Sequence, residues 1–148
     1  MKISNIMINI LNRKAKFDYH ILEEYSAGIC LTGPEVKAIR DYAVSISGSF
    51  CFLNEDEIWI KGMSVTIKNI DDSSISIRER KLLLKKREIQ KIKKSMDKGI
   101  TLVPLKLYTS DRNIIKIEIG LAKGKKKYDK REDIKKRDIE REIRLKQK

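Results

Sequence analysis

The chain has few of the residue types from which active sites and disulfide frameworks are built. Its 148 residues include one histidine, two cysteines and two prolines, and aromatic residues make up 6% of the total. The single histidine, His20, lies among apolar residues, and neither cysteines nor other histidines accompany it at metal-ligand spacing. A glycine-rich phosphate loop leading into a helix is also lacking. The sequence therefore predicts a protein with no catalytic residue, no metal site and no cofactor.

Long apolar runs and secretory features are missing as well. No run approaches the roughly 20 apolar residues of a membrane-spanning helix. The apolar N-terminal stretch is interrupted by polar residues, and no small-residue cleavage site follows it, so we do not interpret it as a signal peptide. Cys30 and Cys51 each lie beside apolar residues, and without a secretory signal we expect two buried thiols and not a disulfide. The expected location is the cytoplasm.

Positive charge is abundant and is concentrated at one end of the chain. Lysine and arginine total 34 against 21 acidic residues, which gives a net charge of +13. Residues 121–148 contain 13 basic and 6 acidic residues, so this last fifth carries +7 of that net charge. A field of this size indicates a polyanionic partner, either nucleic acid or an anionic membrane surface.

Basic residues interleaved with aromatic ones favour nucleic acid. Lys14 and its basic neighbours stand near Phe17 and Tyr19, and three lysines precede Tyr128. Lysine and arginine neutralise phosphates, while exposed aromatic rings stack on unpaired bases. We therefore expect a nucleic acid with unpaired bases, and no membrane, as the partner.

The pattern of apolar residues predicts a mainly β body. Strict alternation over 100–109 and 114–121 predicts an antiparallel hairpin, with Pro104 at an edge or a bulge. Thr32 and Glu35 have the spacing of a capping box, which predicts a short helix ending near residue 42. Further strands are expected at 19–25, 49–53, 57–63 and 65–70, and a second helical region is expected over 78–99. The expected fold is an OB-fold-like antiparallel barrel with two or three short helices and a basic C-terminal tail, although periodicity alone does not separate it from an open α+β sheet.

The tail has a different sequence pattern from the body, with many charged residues and few apolar ones. Four acid-first pairs spaced i, i+4 support a helix, namely Glu132–Lys136, Asp133–Arg137, Glu140–Arg144 and Glu142–Lys146. The apolar stripe along this segment is weak, and an isolated helix of this length is marginal in water. We predict three parts: an N-terminal extension (1–11), a body (12–122) and a tail (123–148) that is disordered when free and helical on an anionic surface.

Several motifs, in the same order, resemble the bacterial SsrA-binding protein family, SmpB. They are Asn12-Arg-Lys-Ala, Leu31-Thr-Gly-Pro-Glu-Val-Lys, Arg80-Lys-Leu-Leu-Leu-Lys-Lys-Arg-Glu-Ile, Leu102-Val-Pro-Leu-Lys-Leu-Tyr and Gly120-Leu-Ala-Lys-Gly-Lys-Lys-Lys-Tyr-Asp-Lys-Arg. The resemblance implies an OB-fold body that binds the tRNA-like domain of transfer-messenger RNA (SsrA). It also implies delivery of that RNA, with elongation factor Tu, to stalled ribosomes for rescue and peptide tagging. The tail of such proteins enters the decoding region and the empty mRNA channel.

The resemblance also implies which residues act. Those placed where the family contacts RNA, or near it, are Asn12, Arg13, Lys81, Leu83, Lys85 and Lys116. Those matching the tail motif that acts in the ribosome are Lys123, Lys125, Lys126, Tyr128, Asp129, Lys130 and Arg131. The chain departs from the usual pattern at three positions: Phe17 stands in place of a histidine, Ser26 in place of an acid, and Lys85 in place of histidine or asparagine.

We therefore predict an RNA-binding adaptor of trans-translation that is not an enzyme and that acts as a monomer. One alternative is a structural ribosomal protein bound permanently to rRNA. Another is a metal-dependent nuclease with an OB body. Separately, Asp71 and Asp72 could bind Mg²⁺, but paired aspartates in a serine-rich turn are usually solvated.

Overall fold

A computed structural model of the chain describes residues 7–67, 75–96 and 99–146. Ten strands and four helices lie within these ranges. In chain order they are β1 (Asn9–Leu11), α1 (Arg13–Asp18), β2 (Tyr19–Ile29), α2 (Gly33–Arg40), β3 (Val44–Ser45), β4 (Phe50–Asn54), β5 (Glu57–Lys61), β6 (Ser64–Thr66), β7 (Ile75–Ser76), β8 (Arg80–Leu83), α3 (Lys86–Ser95), β9 (Ile100–Thr109), β10 (Ile115–Gly124) and α4 (Lys127–Lys146).

Six of the strands close into an antiparallel barrel. The hydrogen-bonded order around it is β9, β10, β2, β8, β5 and β4, and the ring closes where Cys51 of β4 lies opposite Leu102 of β9. Strand β1 pairs with the other end of the same edge of β9, while β3, β6 and β7 form a separate small sheet. This architecture confirms the predicted OB-fold-like antiparallel barrel.

The barrel interior is filled by the apolar members of alternating strands. On β10, Ile115, Ile117 and Ile119 are buried, while Lys116 and Glu118 between them are only partly buried on the outer face. Each fully buried isoleucine contributes roughly 1.5–3 kcal/mol through the hydrophobic effect. The alternation in the sequence therefore sorts the barrel into an apolar inside and a polar, basic outside.

The predicted hairpin is formed by β9 and β10, and a bulge interrupts it beside Pro104. The pairing passes from Lys106 opposite Glu118 to Pro104 opposite Ile119, so that Leu105 is left without a partner. This confirms the predicted edge or bulge at Pro104, which has no N–H to give to the ladder. Beyond the bulge, a second apolar cluster forms beneath α1 from Ala15, Val103, Leu105 and Ala122, with Tyr19 and Ile21 packed against it.

Helix α2 begins as the sequence predicts. The Thr32 side chain accepts a hydrogen bond from the backbone N–H of Glu35 at 3.4 Å, and the Glu35 carboxylate accepts one from the Thr32 N–H at 2.9 Å. This reciprocal pair is the capping box. The helix ends at Arg40, and the backbone turns through a positive φ of 61° at Tyr42.

The predicted helical region over 78–99 was wrong in its first part. Arg80–Leu83 is strand β8, which fills the space between β2 and β5, and only Lys86–Ser95 is helical. Leu82, which lies within the predicted helical region, belongs to this strand, and its side chain is buried in the barrel. Two basic residues followed by two leucines do not by themselves predict a strand, and pairing with β2 and β5 decided their conformation.

Other boundaries differ in smaller ways. Strand β2 does not end at Tyr25 but continues to Ile29, because Ala27 and Gly28 pair with β10. Strand β6 covers Ser64–Thr66, whereas residues 68–70 of the predicted strand, together with Asp71 and Asp72, lie outside the described residues. The two cysteines are free, and the prediction of buried thiols was right for Cys51 and wrong for Cys30, which is exposed where β2 ends.

Both ends of the body extend beyond the predicted limits. Residues 9–11, predicted to lie in the N-terminal extension, form β1, and β10 continues to Gly124 before the tail begins. The tail is helical over Lys127–Lys146, and none of its described side chains is buried. Its disorder in the free protein stays a prediction. Within the described ranges, no helix is both long enough and apolar enough to cross a bilayer.

Candidate nucleic-acid interface

Four residues form one continuous row across the outer face of the barrel. Tyr108 of β9 lies opposite Lys116 of β10, Lys116 lies opposite Gly28 of β2, and Gly28 lies opposite Leu83 of β8. Leu83 is 52% exposed, so its side chain is accessible from solvent. Two of the predicted RNA contacts, Leu83 and Lys116, are therefore neighbours in space although 33 residues separate them in the chain.

Gly28 is the residue that brings them together. A Cβ atom at this position would lie 3.3 Å from Cβ and 3.5 Å from Cδ1 of Leu83, so the leucine side chain covers the space that any other residue would occupy. Because Gly28 has no side chain, the Leu83 side chain lies over the backbone of β2, on the strand that separates Leu83 from Lys116.

A second row, parallel to the first, adds polar and charged groups. Ser26 and Lys106 both lie opposite Glu118 on either side of β10. The Lys106 Nζ atom is 3.3 Å from Glu118 and 5.1 Å from the centre of the Tyr108 ring, so the ammonium group bridges an acid and an aromatic face. The Ser26 hydroxyl is hydrogen-bonded to the Tyr108 hydroxyl across the intervening strand.

An acidic pair limits the positive charge at one end of this surface. A hydrogen bond between the carboxyl groups of Glu24 and Glu118 raises the pKa of Glu24 and lowers that of Glu118, and nearby Lys106 also lowers the pKa of Glu118. Glu24 is therefore the member of the pair that holds a proton more readily. Protonation of Glu24 would make the surface more positive.

The remaining predicted contacts on the body lie on both sides of this surface. Lys85 caps the start of α3 two residues after Leu83, and its side chain is exposed. Lys81 also points outward from β8, but its Nζ atom is 3.4 Å from Glu57, toward the β5 side of the barrel. Arg13 is exposed at the first position of α1.

Asn12 differs from the other predicted contacts because its side chain is buried, with only 3% of the residue exposed. Its amide donates hydrogen bonds to the carbonyl oxygens of Pro104, at 2.8 Å, and Ile46, at 3.5 Å. Its Oδ1 atom accepts one from the backbone N–H of Ala15 at 3.2 Å and so caps α1. In this structure the Asn12 side chain joins the segments around it, and its contact with RNA stays a prediction.

The tail helix leaves the body alongside α1. The Lys130 Nζ atom is 3.1 Å from Asp18, and Asp129 lies 3.2 Å from the His20 ring. Lys130 and Arg137 both face the ring of Phe17, at 5.9 and 5.0 Å from its centre. The hydrogen bond from His20 lowers the pKa of Asp129. These contacts lie between residues 129 and 137 of α4, so they set the direction in which the tail departs.

The other predicted tail residues are distributed along the same joint. Lys125 forms an ion pair with Asp133, which lowers the pKa of that carboxyl. The Tyr128 side chain is 67% exposed, and a hydrogen bond with Glu132 raises its pKa. Exposed to solvent as well are Lys123, Lys126 and Arg131. The structure therefore leaves most of the cationic groups of the tail motif free to meet an anionic partner.

Comparison with known proteins shows the family to which the chain belongs. One family, described as SmpB protein, matches residues 9–148. The chain belongs to the SmpB family. The SsrA-binding protein of Cytophaga hutchinsonii is 48% identical over 141 residues, covering 92% of this chain and 91% of the relative. That of Carboxydothermus hydrogenoformans is 51% identical over 135 residues, covering 89% and 90%. The family resemblance inferred from the motifs is confirmed.

A solved structure is also similar to this SmpB chain. It is described as "tmRNA-SmpB: a journey to the center of the bacterial ribosome", and it matches with a TM-score of 0.60 and 38% sequence identity. The match covers 85% of this chain and 94% of the other. At this identity the likeness supports common family membership as well as a common fold.

Sequence reasoning missed part of the surface of this SmpB protein. Tyr108, Lys106 and Glu118 lie on the polar face of the predicted hairpin, but they were not among the predicted site residues. The sequence did contain a signal for them. Glu118 lies two residues after Lys116 on the same strand, and Tyr108 and Lys106 lie opposite these two residues on the paired strand, so all four share one face. Ser26 was noted as a departure from the family pattern, and its contact with Tyr108 could not be read from the sequence.

The described residues of this SmpB protein contain no group of three or more histidine, cysteine, aspartate or glutamate side chains that could hold a metal ion. The chemistry that the surface does offer is non-covalent. Lysine ammonium groups can bind phosphates, the exposed Leu83 and half-buried Tyr108 side chains can pack on sugars or bases, and hydroxyl groups can donate or accept hydrogen bonds.

Proposed function

We propose that this protein is the RNA-binding adaptor of trans-translation. It binds the tRNA-like domain of transfer-messenger RNA (SsrA) through the outer face of the barrel and delivers that RNA to stalled ribosomes for rescue and peptide tagging. The observation that carries the proposal is the row from Tyr108 through Lys116 and Gly28 to Leu83 on the barrel of a chain that belongs to the SmpB family.

The surface suits a folded, tRNA-like ligand. Lys116, Lys85 and Lys106 provide positive charge along one side of the barrel, and Leu83 adds an apolar contact at its centre. Phosphate contacts supply affinity and orientation, whereas unstacked bases at a loop or elbow supply specificity. A ligand with both a helical backbone and exposed loop bases would use all of these groups.

The tail has a separate role in this proposal. Lys123, Lys125, Lys126, Tyr128, Asp129, Lys130 and Arg131 act in the decoding region and the mRNA channel of the ribosome. The protein acts as a monomer in the cytoplasm, without catalysis of its own, and elongation factor Tu joins through the alanylated RNA. The mRNA channel is lined by rRNA phosphates, which attract the net charge of +7 in residues 121–148.

A competition experiment tests this function. The full chain is titrated with transfer-messenger RNA in the presence of excess bulk tRNA, and the retained complex is measured by filter binding. We expect the transfer-messenger RNA complex to persist, whereas equal competition by tRNA would contradict the proposal. Sedimentation of ribosomes at high salt tests the alternative of a structural ribosomal protein. An adaptor should dissociate from most ribosomes, whereas a structural protein should sediment with them.

A further inference from the structure

A cleft on the other side of α1 is not explained by the proposed interface. It has a volume of about 320 Å³ and lies between α1, the segment before β4 and the first residues of β9. We propose that this cleft binds one unpaired nucleotide of the RNA, with the base stacked on Phe50 and the phosphate on Lys14. The proposal rests on the proposed RNA-binding function and adds a second contact site to it.

Asn12 builds the walls of the cleft. Its side chain caps α1 through the Ala15 N–H, and it holds the loop before β4 and strand β9 through the carbonyl oxygens of Ile46 and Pro104. One buried amide thus joins the three segments that surround the cleft. The shape of the cleft is therefore fixed in the folded protein, which reduces the entropic cost of binding.

Phe50 offers a ring to a ligand in this cleft. It is 45% exposed at the first position of β4, although a phenylalanine gains most by burial. Its cross-strand partner is Lys61, so a cation stands beside the ring. Tyr19, whose ring packs on the apolar cluster beneath α1, also lines the cleft. Exposed aromatic rings beside lysines are the arrangement on which unpaired bases stack.

Polar groups complete the cleft. The Ser49 hydroxyl donates to the Ile46 carbonyl at 2.5 Å, which leaves its lone pairs to accept a hydrogen bond from a base. The hydroxyl-bearing Thr101 lines the opposite wall. Apolar rings with a few polar groups are the usual composition of a small-ligand site, and the volume is near the lower limit of such sites, roughly 300 Å³. The cleft therefore admits one nucleotide and not a duplex.

The charge in the cleft favours an anion. Lys14 is exposed on its rim, and the one carboxylate in the lining, Asp18, already has Lys130 at 3.1 Å. The charge of Asp18 is thus compensated by the tail, and that of Lys14 remains for a phosphate. A nucleotide with its base on Phe50 and its phosphate on Lys14 satisfies both the apolar and the cationic parts of the cleft.

The test compares two phenylalanines of the same strand. Phe50 and Phe52 both lie on the outer face of β4, but Phe52 pairs with Trp59 and is not among the residues lining the cleft. Phe50→Ala and Phe52→Ala are each titrated with a short oligoadenylate and with a base-free ribose-phosphate oligomer of the same length. Melting temperatures of both variants establish that they fold.

We expect Phe50→Ala to weaken oligoadenylate binding by about tenfold, which corresponds to the loss of one stacked base. Phe52→Ala should leave this binding unchanged, Phe50→Tyr should restore it, and none of the variants should alter binding of the base-free oligomer. The proposal would be overturned if Phe50→Ala and Phe52→Ala weakened oligoadenylate binding equally. It would also be overturned if Phe50→Ala weakened binding of the base-free oligomer as much as binding of oligoadenylate. Wild-type selectivity for transfer-messenger RNA over tRNA, measured in parallel, reports separately on the proposed function.

Discussion

Arg80 and Glu35 form an ion pair in the interior of the protein, and both residues are at most 1% exposed. The Arg80 Nε atom donates to Glu35 Oε2 at 2.7 Å, and the Nη2 atom donates to the same oxygen. The other carboxylate oxygen accepts hydrogen bonds from Arg78 and from the Thr32 N–H. The pair thereby joins α2 to β8, the strand that completes the barrel between β2 and β5.

Replacing Glu35 by alanine should strongly destabilise the fold. The change leaves the Arg80 guanidinium buried without a counter-charge, and breaking a buried pair in this way costs about 3–5 kcal/mol. Urea unfolding followed by circular dichroism measures the loss. The control is Glu57→Ala, which removes the partner of Lys81 from an exposed pair and should cost no more than about 1 kcal/mol. Similar losses for the two variants would mean that the buried pair has no special role.

The same carboxylate predicts how stability depends on pH. Burial alone would raise the pKa of Glu35, but hydrogen bonds from Arg78, the Thr32 N–H and Arg80 outweigh it and lower the pKa from 4.5 to about 2. Because the folded-state pKa lies below the unfolded one, the stabilisation is complete above pH 4.5 and is lost as pH falls toward 2. We expect the free energy of unfolding to decrease by roughly 3 kcal/mol across this window. Glu35→Gln should abolish that part of the pH dependence; an unchanged profile would contradict the assignment.

Lys116 and Lys85 should contribute to RNA binding without contributing to stability. Lys116 lies on the outer face of β10 and Lys85 is exposed, so truncation to alanine leaves no cavity. Each variant should bind transfer-messenger RNA more weakly, and the log–log salt slope should become shallower by about one for each lost phosphate contact. Lys93→Ala is the matched control, because Lys93 contacts Asp56 at the far side of α3. A large fall in melting temperature for Lys116→Ala would mean that the Lys116 side chain contributes to the packing of the barrel, which contradicts its assignment to the outer face.

Mutations in the tail should impair peptide tagging without impairing the RNA binding of the barrel. Replacing Asp129, Lys130 and Arg131 together by alanine should abolish peptide tagging on stalled ribosomes while leaving the affinity for transfer-messenger RNA within a few-fold of wild type. Removing residues 123–148 should have the same two effects, because the barrel keeps its own basic surface. The measurements are tagging in a reconstituted translation system and filter binding of the RNA. Loss of RNA binding in either variant would show that the two parts are not independent.

The tail should gain its order on the ribosome. Fixing the backbone costs roughly 1–2 kcal/mol per residue, whereas exposed ion pairs return about 0–1 kcal/mol each. No described side chain of α4 is buried to offset the difference. Amide resonances of residues 133–148 should therefore lie near random-coil values in the free protein, and protection from proteolysis should appear on binding to ribosomes. Stable, dispersed helical resonances in the free chain would contradict this expectation.

The sequence by itself determined the elements whose signals are local. Alternation along the hairpin placed Lys116 on a polar face, the Thr32–Glu35 spacing placed the start of α2, and the clustered charge identified the tail. Each of these depends on neighbours within a few residues, so each could be predicted from the order of residues alone.

Only the tertiary structure decided the remainder. Arg80–Leu83 is a strand because it forms hydrogen-bonded ladders with β2 on one side and β5 on the other. This pairing outweighed the local helical pattern. The proximity of Leu83 to Lys116 depends on strand register and on the missing side chain of Gly28. Asn12, expected to contact RNA, is buried because its amide satisfies carbonyl groups 34 and 92 residues away in the chain. Such contacts join distant segments through hydrogen bonds, and no local pattern in the sequence encodes them.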